Sequence, residues 1–356
     1  MNRSKIEWCD HTWNPITGCR HECSYCYART MTARFAGDVR LNKMAKADYR
    51  LQEAADGNGY IYVLDKPMLN ETEKPLVYPF GFEPTYHRYR MDTLDKMKMG
   101  KNVFVGAMAD VFGKWVPVEC IKEILDECVK RPQHNYLFLT KNPYRYAELF
   151  KKEILMEREN MWYGMTVANS AHARVAEEIM QDLPGNAHTF LSIEPILEDV
   201  LDSLEVTISN FTDWVIIGAE TGRRKGKVSP RKEWIDKIIA FCDEFNVPVF
   251  MKDSLIPIMG EDNMRRDYPE GLQRKTISQK MEKKLYGDCA KCKDHIQKSE
   301  MITLLARSKR GEQPTQFGFM CRECFKKFCK DLELDVPDLA ELAENITIGQ
   351  EDGKDG

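Results

Sequence analysis

The feature that most constrains the fold of this chain is a repeated pair of segments, in which a short apolar run precedes a helix-like stretch. From about residue 100 the pair recurs at roughly 25 to 35 residues, the size of one βα unit. The apolar runs, rich in β-branched and aromatic residues, span 102–110, 135–141, 161–167, 188–194, 213–220 and 247–252. Helix-like stretches with apolar residues three and four positions apart include 118–130, 171–182 and 232–245.

This alternation predicts an α/β protein whose parallel sheet is closed or curled into a partial or complete TIM-type (βα) barrel. The near-continuous apolar character of the runs suits strands that are buried on both faces. Barrels of this type carry their chemistry at the carboxyl ends of the strands. Polar residues stand at or near the ends of these runs, namely Asp110, Thr140, Lys141, Thr166, Asn169, Ser192, Glu194, Glu220 and Lys252.

Each of these polar residues, taken alone, is explained equally well as a helix cap or as a solvated loop charge. Their recurrence after one strand and then the next favours a functional site at a single rim. The sequence therefore predicts that most of these side chains meet at the barrel mouth.

The rhythm of the repeat also suggests domain boundaries. We assign the barrel to residues 1–275, with an insertion at about 40–99, where Gly, Pro and several Tyr interrupt the pattern. A small cysteine-bearing module is predicted at 286–330, and a short acidic tail at 331–356. A length of 356 residues suits one large barrel with a small module appended.

Composition limits the compartment and the partners. The formal net charge is only −4, so a nucleic-acid site would have to be local. No apolar run reaches the roughly 18 residues of a membrane span, which predicts a cytoplasmic protein without a membrane partner. A reducing compartment disfavours disulfides, so the 12 cysteines are expected to be thiols or metal ligands.

Three cysteines near the amino terminus form the most informative motif. Cys19, Cys23 and Cys26 are separated by three and then two residues. Thiolates at this spacing can hold one four-iron four-sulfur (4Fe-4S) cluster and leave its fourth iron without a protein ligand. That open iron can bind the amino and carboxylate groups of S-adenosylmethionine (SAM). One electron passed to the SAM sulfonium then yields methionine and a 5′-deoxyadenosyl radical.

Two other interpretations of the motif remain open. The three thiols are inert core groups, or they bind zinc with a fourth ligand from Cys9, His11 or His21. Three further cysteines lie in helix-like stretches and are predicted to be core thiols, namely Cys120, Cys128 and Cys242.

The spacing, together with Tyr25 directly before Cys26, resembles the signature of the radical SAM superfamily. Further stretches resemble a phage- and prophage-associated family of radical SAM-like proteins, whose substrate is not settled. They lie at 6–8, 12–15, 109–112, 139–143, 162–167, 191–195 and 218–222, so the resemblance covers about residues 5 to 255. A looser similarity is to the spore photoproduct lyase-like branch, which repairs thymine lesions in DNA. There too an acidic residue follows the second strand and a Thr-Lys pair ends the third, as Asp110 and Thr140-Lys141 do here.

The superfamily resemblance implies roles for individual residues. The second strand of radical SAM barrels ends near the amino group of SAM, which implies that Asp110 accepts from that group. Here Gly-Ala-Met-Ala-Asp at 106–110 replaces the usual Gly-Gly-Glu. Lys141 would pair with the SAM carboxylate, and Ser192 and Glu194 would bind ribose or substrate hydroxyls. Tyr25 is expected beside SAM or the substrate, and the electron would come from a reductase or a flavodoxin-type donor.

The carboxyl-terminal module contains two Cys-x-x-Cys pairs with 28 residues between them, Cys289 with Cys292 and Cys321 with Cys324. Four thiolates complete a tetrahedral zinc site, and residues 299–319 have the pattern of the strands and turn of a zinc ribbon. The alternative is an auxiliary iron–sulfur cluster, to which Cys329 would contribute.

The same module is locally basic. Between residues 289 and 330 there are ten Lys or Arg against four acidic residues. Aromatic side chains are interleaved with them, namely Phe317, Phe319, Phe325 and Phe328. This composition is typical of a surface that binds the phosphates and bases of a nucleic acid. It is equally typical of the solvated face of a small zinc domain.

Together these features predict a radical SAM enzyme that modifies or repairs a nucleic acid or nucleotide. One alternative is radical modification of a protein or peptide, with the ribbon as a docking module. Another is a non-catalytic iron–sulfur or zinc protein of phage that binds DNA. The chemistry depends on the three-cysteine motif, whereas the substrate class depends on the basic module and the resemblance.

Overall fold

The computed structural model describes residues 4–55, 57–97, 100–221 and 228–272, and in the carboxyl-terminal part 286–288, 292, 295–297, 301–306, 315–321, 324–325 and 327. The chain divides into two compact units, Met1–Gln273 and Arg274–Gly356.

The described part of the first unit contains eleven strands. They are β1 (His11–Trp13), β2 (Ile16–Thr17), β3 (Arg50–Glu53), β4 (Tyr60–Leu64), β5 (Thr85–His87), β6 (Asn102–Val105), β7 (Asn135–Thr140), β8 (Met161–Thr166), β9 (His188–Ile193), β10 (Trp214–Ile217) and β11 (Val249–Met251). The α-helices are α1 (Tyr27–Arg34), α2 (Val39–Met44), α3 (Val118–Val129), α4 (Tyr144–Lys151), α5 (Ser170–Asp182), α6 (Glu205–Phe211), α7 (Lys232–Glu244) and α8 (Ile256–Met259).

Seven of these strands form one parallel sheet in the order β1-β6-β7-β8-β9-β10-β11. Each strand pairs with the next strand of this sheet along the chain, and a helix from α3 to α7 follows each strand from β6 to β10. The sheet curls into a half-barrel, which confirms the predicted α/β class and a partial barrel. The six predicted strands and the three predicted helices are all present. Strand β1, only three residues long, was not predicted.

The two faces of the half-barrel have different coverings, and strand alternation assigns each residue to one of them. Alternate positions such as Val103, Tyr163 and Val215 pack against the helices in the main core. The positions between them form an aromatic layer on the inner face, composed of Phe104, Trp162, Phe190, Trp214 and Phe250, and Trp8 from the segment before β1 packs into the same layer. Gly164 makes room for this layer, because a Cβ there would collide with the Phe190 ring.

Each long helix buries the face on which its regularly spaced apolar residues lie. Helix α3 buries positions three and four apart on one face, including Cys120 and Cys128, which are 1% and 0% exposed. Cys242 of α7 is 0% exposed as well. The prediction that these three cysteines are core thiols is therefore confirmed.

A second, four-stranded sheet has the order β2-β5-β4-β3. Strand β5 is antiparallel to β2 and parallel to β4, and β4 is antiparallel to β3. Three of its strands come from residues 50–87, within the stretch predicted to be an insertion. Its remaining strand, β2, ends one residue before Gly18 and Cys19. The small sheet is therefore joined directly to the three-cysteine motif.

The described part of the second unit contains two antiparallel strand pairs. Strand β12 (Tyr286–Asp288) pairs with β13 (His295–Gln297), and β14 (Met301–Ala306) pairs with β15 (Thr315–Cys321). Strands predicted between 299 and 319 are thus present. The module's Cys289 and Cys329, most of its basic residues, and the tail at 331–356 lie outside the described residues. Among the residues that the structure describes, no helix combines the length and apolar character needed to span a bilayer.

Candidate active site lined by three cysteines

The loop that carries the cysteines is anchored at its start to two other segments of the chain. The Gly18 N–H donates to the Met108 carbonyl at 2.9 Å, and the Cys19 N–H donates to the Phe82 carbonyl at 3.1 Å. Gly18 has a φ of +84°, and a Cβ there would overlap the backbone of Glu83. Only glycine fits this position, because any side chain would meet both the strain of positive φ and a backbone collision.

All three cysteines line one cavity of about 240 Å³ at the carboxyl ends of the parallel strands. Their side chains are partly buried. Cys26 is the residue before helix α1, and its N–H donates to the Cys23 carbonyl at 3.2 Å. The half-barrel and the small sheet thus bring the whole motif to the site that the strand pattern predicts.

The cavity walls contain most of the polar residues that were predicted to share a rim. The lining includes Tyr25, Asp110, Thr140, Lys141, Thr166, Ser192, Glu194, Glu220 and Lys252. Asn169 is absent from the lining; its side chain accepts from the His172 N–H at 2.9 Å and caps helix α5. For this residue the interpretation as a cap is the correct one.

Several lining residues were not predicted from the sequence. Trp8 and Phe104 belong to the aromatic layer and bring apolar surface to the cavity. His21 lies between two of the cysteines, and Tyr27 donates from its hydroxyl to the Ala107 carbonyl at 2.7 Å. The only sequence evidence for a role of His21 was its position within the cysteine motif, which suggested a metal ligand.

Asp110 is the centre of a buried hydrogen-bond network. Its carboxylate accepts from the backbone N–H of Phe112 at 3.0 Å and of Lys141 at 2.9 Å. It also accepts from the Thr140 hydroxyl at 2.8 and 3.0 Å, and lies 2.7 Å from Nε2 of His21. With 4% of its surface exposed, Asp110 connects the ends of β6 and β7 to the cysteine loop.

The network determines the ionisation of Asp110. Burial by itself opposes the charged form, but the hydrogen bonds from His21, the Lys141 backbone and Thr140 outweigh it and lower the pKa of Asp110. Burial, followed by the nearby Asp110 carboxylate, raises the pKa of Cys19 to about 12. A thiolate at Cys19 therefore requires positive charge beside it, which bound metal supplies.

Two lysine side chains line the cavity, one after strand β7 and one after strand β11. The Lys141 ammonium lies 5.6 Å from the centroid of the Tyr25 ring, a cation–π contact. The Lys252 ammonium donates to Oε1 of Glu194 and lies 3.9 Å from Oε2 of Glu7. The cavity thus combines one ion-paired Lys with one stacked on an aromatic ring.

Three thiols in one cavity are soft donors of the kind that hold iron–sulfur clusters. In a cubane each thiolate binds its own iron, so the three sulfurs need not meet at one point. Cys19, Cys23 and Cys26 are the three thiols of the cavity and are the residues that would hold such a cluster.

The fold and the site define an α/β half-barrel protein with a cysteine-lined cavity at its strand ends. The chain belongs to the DUF5131 family, described as proteins of unknown function, and the match spans residues 3–289. The matched region therefore includes the half-barrel and the three-cysteine motif. No curated protein and no solved structure matches the chain significantly.

Proposed function

We propose that this protein is a radical SAM enzyme with a 4Fe-4S cluster on Cys19, Cys23 and Cys26. One observation carries the proposal: these three cysteines line the same cavity as polar side chains from successive parallel strand ends. An open iron needs a neighbouring space with polar and apolar walls for SAM, and this cavity has both.

When bound, a 4Fe-4S cluster with one open iron supplies the electron that cleaves SAM into methionine and a 5′-deoxyadenosyl radical. The chain's own residues bind and orient the reactants. Lys141 offers a cation to the SAM carboxylate, and Ser192 and Glu194 offer hydrogen-bonding groups to ribose or substrate hydroxyls. The apolar surface of Trp8 and Phe104 excludes water beside them, which protects a reactive radical from side reactions.

We propose a nucleic acid or nucleotide as the substrate. Support comes from the basic, aromatic composition of residues 289–330. Reversing the charges of Arg307, Lys309 and Arg310 should weaken DNA or RNA binding and reduce its salt dependence. If the wild-type chain binds neither polymer, or the variant binds equally well, the substrate belongs to another class, such as a peptide.

We also propose that Cys289, Cys292, Cys321 and Cys324 hold a structural zinc ion. The alternative, an auxiliary iron–sulfur cluster, predicts iron at this site instead. Metal analysis distinguishes them, because the zinc proposal requires about one zinc per chain that persists when the amino-terminal motif is mutated.

The decisive experiment is anaerobic reconstitution with iron and sulfide, followed by dithionite and SAM. We expect 5′-deoxyadenosine and methionine in equal amounts. Cys23→Ala should lose the iron chromophore and the product while keeping its zinc. Cys120→Ala is a matched control, since it removes a buried thiol outside the cavity. A fully loaded cluster that never cleaves SAM would refute the proposal.

A further inference from the structure

Helix α1 begins directly after Cys26 and has two contrasting faces. Ala28 and Thr32 are buried against the protein. Tyr27, Met31 and Phe35 recur at intervals of four, so they form one stripe, and they are 51%, 43% and 58% exposed. The apolar side of a short helix normally faces the core, so a stripe of this kind turned outward indicates an interaction site.

Helix α2 continues this apolar surface. The Asn42 amide donates to the Ala36 carbonyl at 3.3 Å and to the Pro79 carbonyl at 2.8 Å, which fixes α2 beside the end of α1. Leu41 and Met44 lie three residues apart on α2 and are 60% and 75% exposed. We call the five exposed side chains the α1–α2 surface: Tyr27, Met31, Phe35, Leu41 and Met44.

The surroundings of the α1–α2 surface are strongly basic. Residues 27–46 contain five Lys or Arg against one acidic residue, in a chain whose net charge is −4. The basic residues are Arg29, Arg34, Arg40, Lys43 and Lys46. The one carboxylate, Asp38, accepts from the Arg40 and Leu41 N–H groups and caps helix α2. Local charge therefore selects a partner with an acidic surface.

The side-chain types indicate which acidic partner fits. Aromatic residues, Met and Arg are the types enriched in protein–protein interfaces. Single-stranded nucleic acids are held by basic grooves whose aromatic rings stack on bases, and aliphatic Met and Leu contribute little to that recognition. Three of the five apolar side chains here are Met or Leu, which favours a protein.

The surface is also close to the cysteine loop. Cys26 immediately precedes α1, and eight helical residues span only about 12 Å. Tyr27, which starts the stripe, donates to Ala107 on the cavity wall. A protein bound here therefore lies beside the three-cysteine motif.

We propose that the α1–α2 surface docks an acidic one-electron carrier protein that reduces this enzyme. This inference rests on the proposed function. In each transfer the reduced carrier loses one electron and the cluster gains it, with no atom exchanged. Apolar contacts of the stripe hold the complex, and the surrounding Arg and Lys attract the acidic rim of the carrier.

The test uses two probes, an acidic flavodoxin and an acidic two-iron ferredoxin, and the full-length chain. Binding is measured by fluorescence anisotropy at two salt concentrations, before and after cluster reconstitution. Met31→Glu and Phe35→Glu should each weaken binding of at least one probe by about tenfold. Val206→Glu and Phe245→Glu place the same charge at exposed apolar residues elsewhere, and each should change binding of the probes less than twofold.

Kinetics provide the second measurement. Carrier-driven formation of 5′-deoxyadenosine should fall about tenfold in the stripe variants at subsaturating carrier, while dithionite-driven formation stays unchanged. Binding by neither probe, or equal effects of stripe and control variants, overturns the proposal. So does loss of single-stranded DNA binding with carrier binding intact, which would assign the surface to nucleic acid. If SAM is never cleaved but the stripe variants still lose carrier binding, the radical chemistry fails and the docking surface stands.

Discussion

Asp110→Asn tests whether the buried carboxylate holds the cysteine loop in place or binds SAM directly. Both carboxylate oxygens accept hydrogen bonds from backbone N–H groups, one from Phe112 and one from Lys141. An asparagine offers only one acceptor oxygen, so either orientation of its amide leaves an N–H facing an N–H. A buried donor without a partner costs about 1–3 kcal/mol, and we expect the free energy of unfolding to fall by that amount.

The expected loss of unfolding free energy in Asp110→Asn should also depend on pH, which provides an internal check. Asp110 has a lowered pKa in the folded chain, whereas its unfolded pKa is about 3.9. Its stabilising contribution is therefore complete well above that value and is lost as the pH falls through the lowered folded pKa. The variant lacks this titration. The difference in unfolding free energy between wild type and Asp110→Asn should stay constant near pH 6 and shrink as the pH is lowered below about 3.9.

The assay is guanidinium unfolding followed by tryptophan fluorescence, combined with iron uptake on reconstitution. Asp236→Asn is the matched control, because it removes a half-exposed carboxylate from an i,i+4 ion pair with Lys232 and should change stability by no more than about 0.5 kcal/mol. If Asp110 positions the loop through His21, the variant should take up iron poorly even without SAM. Normal stability and normal iron uptake, together with lost SAM affinity, would instead support the role as amino-group acceptor.

Three further perturbations test other parts of the structure. Gly164→Ala should destabilise the chain by about 1–3 kcal/mol in denaturant unfolding, because its Cβ would enter the aromatic layer. Gly185→Ala, where a Cβ meets nothing within 4 Å, is the comparison, and similar losses in both would argue against that packing. A double-mutant cycle with Glu194→Gln and Lys252→Met should give a coupling energy of about 1 kcal/mol in stability; additive effects would mean that the ion pair contributes nothing. Cys292→Ala should lower bound zinc, measured by mass spectrometry, and unchanged zinc would contradict the proposed four-cysteine site.

The parts of the fold that sequence predicts are those governed by local periodicity. Runs such as 161–167 are apolar at nearly every position because both faces of the parallel sheet are covered, and that pattern is visible without any tertiary contact. Helix α7 is likewise marked by buried residues three and four apart. Strand β1 escaped prediction because its sequence, His-Thr-Trp, lacks the buried apolar run that marks the other strands of the sheet.

The functional site, like the fold, could be predicted from the sequence only in part. The spacing of Cys19, Cys23 and Cys26 and the rule that barrels carry their chemistry at strand ends were enough to predict one shared cavity. The sequence could not separate Asn169, which caps a helix, from Ser192, which lines the cavity, because both are polar residues at or near the carboxyl end of a strand. That distinction depends on the direction in which each side chain leaves the backbone.

The three-cysteine motif and the βα repeat were thus determined by the sequence itself. Only the tertiary structure decided that Asp110 contacts His21, a residue 89 positions away, and that residues 50–87 form a sheet with β2 beside the motif. Such contacts depend on which strands pair and in which register. The pairing is decided by the packing of the whole half-barrel, since no local pattern encodes the partner of a hydrogen bond across that distance.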